Sequence, residues 1–227
     1  MQIVAISDMH GKLDFSVPQC DILLIAGDIC PAYANCDLSI PMQLDWFKNK
    51  FIFWLNKQPA QYVVFIAGNH DWIFYKKENR IPFLNLHNNW YYLKDSFIMI
   101  NDLKIYGSPW QLSFNNWAFN RSEEELEKIW NNIPMDTDIL LLHSPPYKIL
   151  DKTILSNYVK HIGSKSLKRR IQQVKPKLVV FGHCHSAYGI TEKDGILFIN
   201  ATLLNEQYQI VNKPILVGNI KWAGTTD

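Results

Sequence analysis

Histidine, aspartate and asparagine residues recur in this sequence directly after short apolar runs. Five of the seven histidines occupy such positions. Carboxylate, imidazole and amide groups together suit manganese, iron or zinc better than calcium. If the chain brings them to one place, the cluster needs either a bound metal or the costly burial of unpaired polar groups. The residues are Asp8, His10, Asp28, Asn69, His70, Asp71, His143, His183 and His185.

The spacing of these residues also has chemical meaning. Asp8 and His10 are two residues apart, so in an extended chain both side chains point to the same side. The His-x-His pair near residue 184 repeats this spacing. Asn69 and His70 are adjacent, which predicts that one side chain faces a metal and the other faces a substrate.

Smaller residues beside the polar set are predicted to shape its turns. Glycine tolerates unusual backbone angles and leaves room for close approach, so a glycine before a functional residue favours a tight strand-end turn. Cys184 lies between two histidines, and its side chain should point away from theirs and pack in the interior. The glycines that directly precede functional residues are Gly27, Gly68 and Gly182.

Each fragment of this pattern alone has an ordinary structural explanation. An Asp-x-His pair occurs often in surface turns, and Gly-Asp after a strand is common turn chemistry. The segment from Gly68 to Asp71 is also typical of a capped loop before a helix, and a lone histidine such as His143 usually has a structural partner. Taken together, the fragments favour a functional site, because each of them follows a predicted strand.

The elements that must position these residues are predicted to be buried strands. Val, Ile and Leu dominate five runs, and near-continuous apolar runs of this length are typical of strands buried on both faces. Helical patterns separate the runs, which indicates an α/β fold. Because ligands bind at the carboxyl ends of strands in such folds, the polar residues should meet at one edge. The predicted strands are 3–6, 21–26, 62–67, 138–142 and 177–181, and the predicted helices are 41–57, 122–132 and 164–174.

Two further regions have a different pattern. Residues 90–106 and 187–220 alternate short apolar runs with turn residues. This alternation predicts antiparallel strands, and we expect these strands to form a second, more antiparallel sheet.

Composition limits the classes of protein to which the chain can belong. It has 227 residues, of which 48% are hydrophobic and 19% charged, and we predict one domain spanning residues 1–227. The formal net charge of +2 argues against a nucleic-acid partner. No apolar run approaches the ~18 residues that cross a bilayer, and the four cysteines form no CxxC pair. We therefore expect a cytoplasmic protein without a membrane partner.

The ordered set from Asp8 to His185, which spans most of the chain, resembles the calcineurin-like metallophosphoesterase superfamily. The resemblance implies an α/β fold of two facing mixed β-sheets flanked by α-helices, with two divalent transition metal ions at one edge. Manganese is the expected metal, with iron or zinc as alternatives. Asp28 would bridge the ions, His70 would act as the acid or stabilise charge near the phosphate, and Asp71 would orient His70. The implied ligands are Asp8, His10 and His185 for one ion, and Asn69, His143 and His183 for the other.

Three segments outside the metal motifs, 106–111, 116–120 and 199–202, read YGSPWQ, NWAFN and INAT. They are similar to the metallophosphoesterase-domain-containing family, whose members are studied as phosphodiesterases of cyclic nucleotides and related small diesters. The resemblance implies a small phosphodiester or nucleotide substrate, hydrolysed by attack of a hydroxide that bridges the metals. Some members have glycine at the position of His183 and are weakened, so the histidine here implies full metal loading.

Aromatic and amide residues between 107 and 120 have no clear periodicity. We predict that Trp110, Gln111 and Trp117 belong to a loop over the metals and bind substrate, since tryptophan rings stack well on a nucleobase. Burial of these aromatic residues in the core is the equal alternative.

Three other functions share parts of this pattern. A nuclease would need a basic path to the site, which the balanced charge does not favour. A Ser/Thr protein phosphatase would have Asp-Arg-Gly after Gly-Asp, whereas this chain continues from Asp28 with Ile-Cys-Pro. A non-catalytic metal-binding interaction module would need the ligands but not His70. The oligomeric state stays open.

Overall fold

The computed structural model describes residues 1–32, 36–76, 89–155 and 158–218 of the chain. The strands in these ranges are β1 (Ile3–Ile6), β2 (Cys20–Ala26), β3 (Ala60–Ile66), β4 (Trp90–Tyr92), β5 (Ser96–Ile100), β6 (Leu103–Ser108), β7 (Gln111–Leu112), β8 (Asn120–Arg121), β9 (Ile139–Leu142), β10 (Lys152–Leu155), β11 (Tyr158–His161), β12 (Leu178–Phe181), β13 (Gly189–Lys193), β14 (Ile196–Asn200) and β15 (Ile215–Val217). The helices are α1 (Cys36–Trp46), α2 (Ile52–Leu55), α3 (Trp72–Lys76), α4 (Glu123–Trp130) and α5 (Lys165–Val174).

Two large sheets form the centre of the fold. The first has the strand order β15-β1-β2-β3-β4, and the second has the order β13-β14-β12-β9-β6-β5. Neighbouring strands are parallel except at the edges, where β15, β13 and β5 each run antiparallel to their partners. Two short pairs, β7–β8 and β10–β11, lie outside these sheets. The predicted architecture of two mixed sheets with flanking helices is confirmed.

The central strands are buried on both faces because their two sets of side chains enter different apolar layers. In β1, Ile3 and Ala5 belong to the layer between the sheets, while Val4 and Ile6 belong to the layer that also contains helix residues such as Phe47. Side chains alternate across a strand, so an uninterrupted apolar run can serve both layers at once. This is why the sequence shows apolar runs without polar alternation.

The predicted helices near 122–132 and 164–174 are confirmed, and their ends follow from local chemistry. Ser122 forms a capping box with Glu125 at the start of α4, and Ser164 caps α5. Lys175 adopts the left-handed conformation directly after α5, and Pro176 follows it. None of the helices in the described ranges combines the length and the apolar character needed to cross a lipid bilayer.

The helix predicted over 41–57 begins earlier than the sequence suggested. It starts at Cys36, contains Pro41, continues through a π-helical segment at Phe47–Phe51 and ends with α2. Proline removes one backbone hydrogen bond and is usually avoided inside a helix, which obscured the start. The buried face of the segment, with Phe47, Phe51 and Leu55, is the one that the helical spacing indicated.

The expected second, more antiparallel sheet is confirmed in part, because the second sheet contains two antiparallel hairpins but not every strand of these regions. In region 90–106, β5 and β6 form a hairpin on the second sheet, but β4 pairs in parallel with β3 in the first. In region 187–220, β13 and β14 form a hairpin, whereas β15 pairs with β1 and ends at Val217; residues 219–220 lie outside the described ranges. Tight turns fix the hairpins locally, but only tertiary packing selects the partners of β4 and β15.

Candidate metal centre

The polar residues singled out in the sequence meet at one edge of the two sheets. Asp8 and His10 follow β1, Asp28 follows β2, and the remaining residues follow β3, β9 and β12. Five of the seven expected ligands are buried: Asp8, His10, Asp28, Asn69 and His143. Among the described residues, His161 stands apart from this cluster. His161 bonds with Asp151 through a 2.6 Å contact, and His87 lies outside the described residues.

The backbone that carries these residues is not extended, in contrast to the expectation from spacing. Asp8, His10, Asp28 and His183 all have positive φ angles, between 42° and 67°. His185 begins a 3₁₀ turn. Left-handed backbone at a residue other than glycine costs of order 1–3 kcal/mol and persists where the surrounding structure enforces it. Side chains two residues apart therefore converge through turns and not through the alternation of a strand.

Glycine is required at two turns because other atoms occupy the space of a side chain. A Cβ atom on Gly68 would lie 2.3 Å from Asp28 Oδ1, and one on Gly182 would lie 2.0 Å from Asp8 Oδ2. The expected close approach at these glycines is confirmed. Cys184, between the two histidines, is buried, and its thiol donates to the carbonyl oxygen of Lys152 at 3.0 Å.

One group of acceptor atoms consists of Asp8, His10 and His185. His185 Nε2 lies 3.4 Å from His10 Nε2 and 3.4 Å from Asp8 Oδ1. The other ring nitrogen of His185 donates to the carbonyl oxygen of Asn205 at 3.0 Å. This hydrogen bond fixes the proton on Nδ1, so the lone pair of Nε2 points at the neighbouring acceptors.

A second group consists of Asn69, His143 and His183. The amide oxygen of Asn69 lies 2.8 Å from His143 Nε2 and 2.9 Å from His183 Nδ1. His143 Nδ1 donates to the carbonyl oxygen of Ala26 at 2.9 Å, which leaves the lone pair of Nε2 facing Asn69. The pattern repeats that of the first group, with a backbone carbonyl orienting an imidazole.

The carboxylate of Asp28 lies between the two groups. Its Oδ2 atom is 3.6 Å from His10 Nε2 and 3.5 Å from His143 Nε2. Its Oδ1 atom accepts a 2.7 Å hydrogen bond from the backbone N–H of His70, which fixes the orientation of the carboxylate.

The chemistry of this set fits positively charged ions. Imidazole lone pairs and carboxylate oxygens face one another, an arrangement that is repulsive unless a cation or a proton lies between them. Burial lowers the pKa of His143 and His185, but Asp28 and Asp8 outweigh it and raise both to about 9. Burial lowers the pKa of His10 to about 3, so this ring stays a neutral ligand. Among the histidines, cysteines and carboxylates of the described residues, three groups could hold a metal ion: Asp8, His10 and His185; His10, Asp28 and His70; and Asp8, Asp28 and His143.

His70 is held beside the acceptor groups by ring contacts and by its backbone. Its imidazole packs on Trp117, with ring centroids 4.1 Å apart, and meets His10 edge-to-face at 4.8 Å. Its carbonyl oxygen accepts a 2.7 Å hydrogen bond from the buried side chain of Gln43 on α1. Burial lowers the pKa of His70. The sequence offered no signal for Gln43, since a lone glutamine in a helix has no distinctive spacing.

Asp71 does not orient His70 as expected. Its carboxylate accepts hydrogen bonds from the backbone N–H groups of Ile29, Cys30 and Gly68, at 2.7–3.1 Å. His70 Nδ1, in turn, is buried without a hydrogen-bond partner among the described residues. Burial, with a contribution from Asp28, raises the pKa of Asp71 to about 7. Asp71 therefore ties the loop after β2 to the loop after β3.

A model of the calcineurin-like phosphoesterase family matches residues 1–187. The chain belongs to this family. It is thus a metal-dependent phosphoesterase, a hydrolase that acts on phosphate esters.

Relatives of this phosphoesterase extend the match over nearly the whole chain. It is 34% identical over 241 residues to metallophosphoesterase domain-containing protein 1 of Homo sapiens, covering 95% of this chain and 70% of the relative. A UPF0046 protein of Caenorhabditis elegans is 34% identical over 248 residues, covering 95% and 59% of the two chains. The solved structure of phosphopantetheinyl hydrolase from Mycobacterium tuberculosis is 14% identical with a TM-score of 0.57, covering 91% and 90%. The structural likeness shows a shared fold.

A cleft of about 250 Å³ opens above the phosphoesterase's acceptor groups. Trp117 lines it and is held there because the N–H of Ala118 donates to the carbonyl oxygen of Asn69 at 3.0 Å. Phe114, 60% exposed, stands at the same opening. The structure thus places Trp117 beside the candidate metal centre.

The other two expected substrate-binding residues are structural, and that expectation was wrong. Trp110 is buried, and its indole N–H donates to Asp95 at 2.6 Å while the Arg121 guanidinium lies 4.2 Å from its ring. Gln111 is fully buried and donates to Asn120 at 2.9 Å. Sequence proximity to Trp117 suggested a shared role, but both side chains are buried against partners away from the cleft.

Tyr208 is a residue of the cleft that sequence reasoning missed. Its ring lies 4.8 Å from that of His10 and 5.6 Å from that of His185. The N–H of Tyr208 donates to the carbonyl oxygen of Asn205, the same atom that accepts from His185. Glu206 lines the cleft beside it. These residues follow no strand-end motif, so no pattern in the sequence identifies them.

Proposed function

We propose that this protein is a two-metal phosphodiesterase that hydrolyses small phosphodiesters such as cyclic nucleotides. The observation that carries the proposal is the position of Asp28 Oδ2, between His10 Nε2 and His143 Nε2. One carboxylate oxygen shared by two acceptor groups suits a pair of bridged ions. The proposed ligands are Asp8, His10 and His185 for one ion and Asn69, His143 and His183 for the other, with manganese as the metal and iron or zinc as alternatives.

The residues around the ions have distinct proposed roles. Divalent cations held by these ligands would bind a phosphate group and would lower the pKa of a bound water molecule. His70, packed on Trp117 beside the ligands, is positioned to protonate the departing oxygen or to stabilise its charge. Asn205 and Ala26 hold the imidazoles of His185 and His143 in the tautomer that binds a cation.

The cleft favours a small ring-bearing substrate over a polymer. Its lining contains three aromatic residues, Phe114, Trp117 and Tyr208, on which a planar ring can stack. Within the described part of the chain, the residues lining it include no lysine or arginine. Nucleic-acid binding depends mainly on such cations, so a nuclease is the weaker reading. The absence of arginine after Asp28 argues in the same way against a protein phosphatase.

The cysteines support the proposed cytoplasmic location. Cys20, Cys30 and Cys184 are free thiols, and all three are buried. Burial raises the pKa of Cys20 to about 11 and that of Cys184 to about 12, so these thiols stay protonated and unreactive. Free cysteines are usual in a reducing compartment.

The proposed substrate class predicts a preference between matched esters. The wild-type protein loaded with Mn²⁺ should show a higher kcat/KM for a small phosphodiester than for the corresponding monoester. A bound diester places less negative charge than a monoester near the carboxylates and the exposed Glu206 of the cleft, so these groups repel it less. Cyclic nucleotides, linear aryl diesters and their monoesters should be compared at fixed metal concentration. A consistent preference for monoesters across several matched pairs would reject the diester assignment.

A pair of tryptophan variants separates substrate binding from core packing. Trp117→Ala should raise KM for a cyclic nucleotide roughly 5- to 150-fold, because stacking on a base is worth about 1–3 kcal/mol. A small diester without a large ring should lose much less. Trp110→Ala is the matched control. It should lower the free energy of unfolding by about 3–5 kcal/mol, the usual cost of truncating a buried tryptophan, and should change KM for the two substrates equally.

Steady-state kinetics on both substrates and thermal melting of both variants test this pair. Equal losses on the two substrates in Trp117→Ala, together with a lower melting temperature, would show that Trp117 serves packing alone.

A further inference from the structure

The segment directly after β14 contains buried polar residues that the proposed reaction does not use. Asn200 and Thr202 are both fully buried. Thr202 forms an isolated parallel bridge with Ser7, the residue before Asp8, and the N–H of Leu203 donates to the carbonyl oxygen of Ser7. The segment therefore joins the end of the second sheet to the end of the first at the candidate metal centre.

The side-chain amide of Asn200 fixes this segment to the loop that carries two histidines. Its Nδ2 group donates to the carbonyl oxygens of Cys184 at 2.9 Å and Leu150 at 3.2 Å. Since both partners are acceptors, the orientation of the amide is determined, and Oδ1 must face Thr202. That oxygen accepts from the Thr202 N–H at 3.2 Å and lies 2.7 Å from the Thr202 hydroxyl.

The hydroxyl of Thr202 also reaches the carboxylate of Asp8. It lies 3.1 Å from Asp8 Oδ2, and the N–H of His183 donates to the same oxygen at 2.9 Å. Asp8 Oδ1 instead faces His185 Nε2 at 3.4 Å. The N–H of His183 also reaches Oδ1, at 3.1 Å, so the two oxygens differ in the Thr202 hydroxyl, which contacts Oδ2 alone. The single hydroxyl proton is therefore shared between the closer amide oxygen of Asn200, at 2.7 Å, and the charged and therefore stronger acceptor Asp8 Oδ2, at 3.1 Å.

We infer that Thr202, held by Asn200, is a positioning residue that orients Asp8 for metal binding. Its hydroxyl engages Oδ2, so that Oδ1 is presented to the ion shared with His10 and His185. This role rests on the proposed two-metal function. Partners that orient a ligand contribute to metal affinity although they do not touch the metal.

The test replaces the hydroxyl without changing the shape of the side chain. Thr202→Val removes the donor and keeps the volume, whereas Thr202→Ser keeps the donor and serves as the control. Metal-free proteins are titrated with Mn²⁺ alone in a calorimeter. In Thr202→Val one of the two binding steps should weaken about 10- to 100-fold, the usual effect of losing such a partner, while the other stays unchanged. Thr202→Ser should match the wild type in both steps.

Circular dichroism of the metal-free proteins establishes that each variant is folded. If Thr202→Val does not fold, Thr202→Ala, which also lacks the hydroxyl, is titrated in its place. Wild-type affinity for both ions in the folded variant without the hydroxyl would overturn the inference and leave the proposed function intact. An equal weakening of both steps would also overturn it, because Thr202 would then act on the whole loop. Binding of fewer than two ions by the wild-type protein would overturn the proposed function itself.

Discussion

The Asp28→Ala variant is expected to bind at most one metal ion per chain and to hydrolyse phosphodiesters at least about 10³-fold more slowly than the wild type. Its carboxylate Oδ2 atom lies within 3.6 Å of both His10 Nε2 and His143 Nε2. Asp28 is therefore the residue that contributes to both proposed ion sites. Elemental analysis of the purified variant measures the metal, and kcat/KM on a small diester measures the catalytic loss.

Two matched variants make this result specific. Asp28→Asn keeps the shape of the side chain and an acceptor for the His70 N–H, but it removes the charge, so it should also lose metal while remaining folded. Asp14→Ala removes an exposed carboxylate and should leave both metal content and rate unchanged. Asp71→Ala is unsuitable as a control, because Asp71 ties the loops that carry Asp28 and Asn69. Two metal ions per chain in Asp28→Ala would contradict the bridging role.

His70→Ala should slow the hydrolysis of an alkyl or ribosyl diester by ~10²–10⁴-fold and that of a nitrophenyl ester far less. An alkoxide leaving group builds up much negative charge as its bond to phosphorus breaks, and a proton stabilises it. A nitrophenolate is already stable and gains little from protonation. The position of His70, beside the ligands and against Trp117 at the cleft, favours contact with substrate. The comparison of kcat for the two ester classes measures the role of the acid.

Metal content helps to distinguish an acid at position 70 from a metal ligand and from a group that binds the phosphoryl oxygens. His70→Asn should retain two ions per chain, as should His70→Ala, if the ring faces substrate. His70 also belongs to a group with His10 and Asp28 that could hold a metal, so loss of an ion would identify it as a ligand instead. An equal loss of rate on both ester classes with the metals intact would show that His70 binds the phosphoryl oxygens, which are common to all substrates.

The polar residues of the centre were predictable because their positions follow from local rules. Each comes directly after an apolar run, and parallel strands bring their carboxyl ends to the same edge of a sheet. The sequence therefore indicates that Asp8, Asp28, Asn69 and His143 meet, without knowledge of the turns. The turns themselves were not predictable: the left-handed backbone of Asp8 and His183 replaces the extended chain that the spacing suggested.

The walls of the cleft depend on contacts between segments far apart in the chain. Trp110 and Trp117 are close in sequence and similar in chemistry, yet Asp95 and Arg121 enclose the first while the loop of Asn69 holds the second over His70. Tyr208 reaches His10 across almost two hundred residues. A local pattern cannot encode such meetings, because it carries no information about which distant surface a side chain will face.

By itself, the sequence determined the five buried strands that end at the centre, the helices at 123–130 and 165–174, and the cluster of possible metal ligands. Hydrophobic period, capping residues and strand-end polar residues act over a few positions, so a local pattern can reveal them. Only the tertiary structure decided how β4 and β15 pair, what Asp71 binds and which tryptophan faces the cleft. These outcomes depend on contacts between segments that are far apart in the chain. Burial makes each unpaired donor or acceptor costly, so a buried carboxylate such as that of Asp71 binds the nearest donors that the completed fold presents.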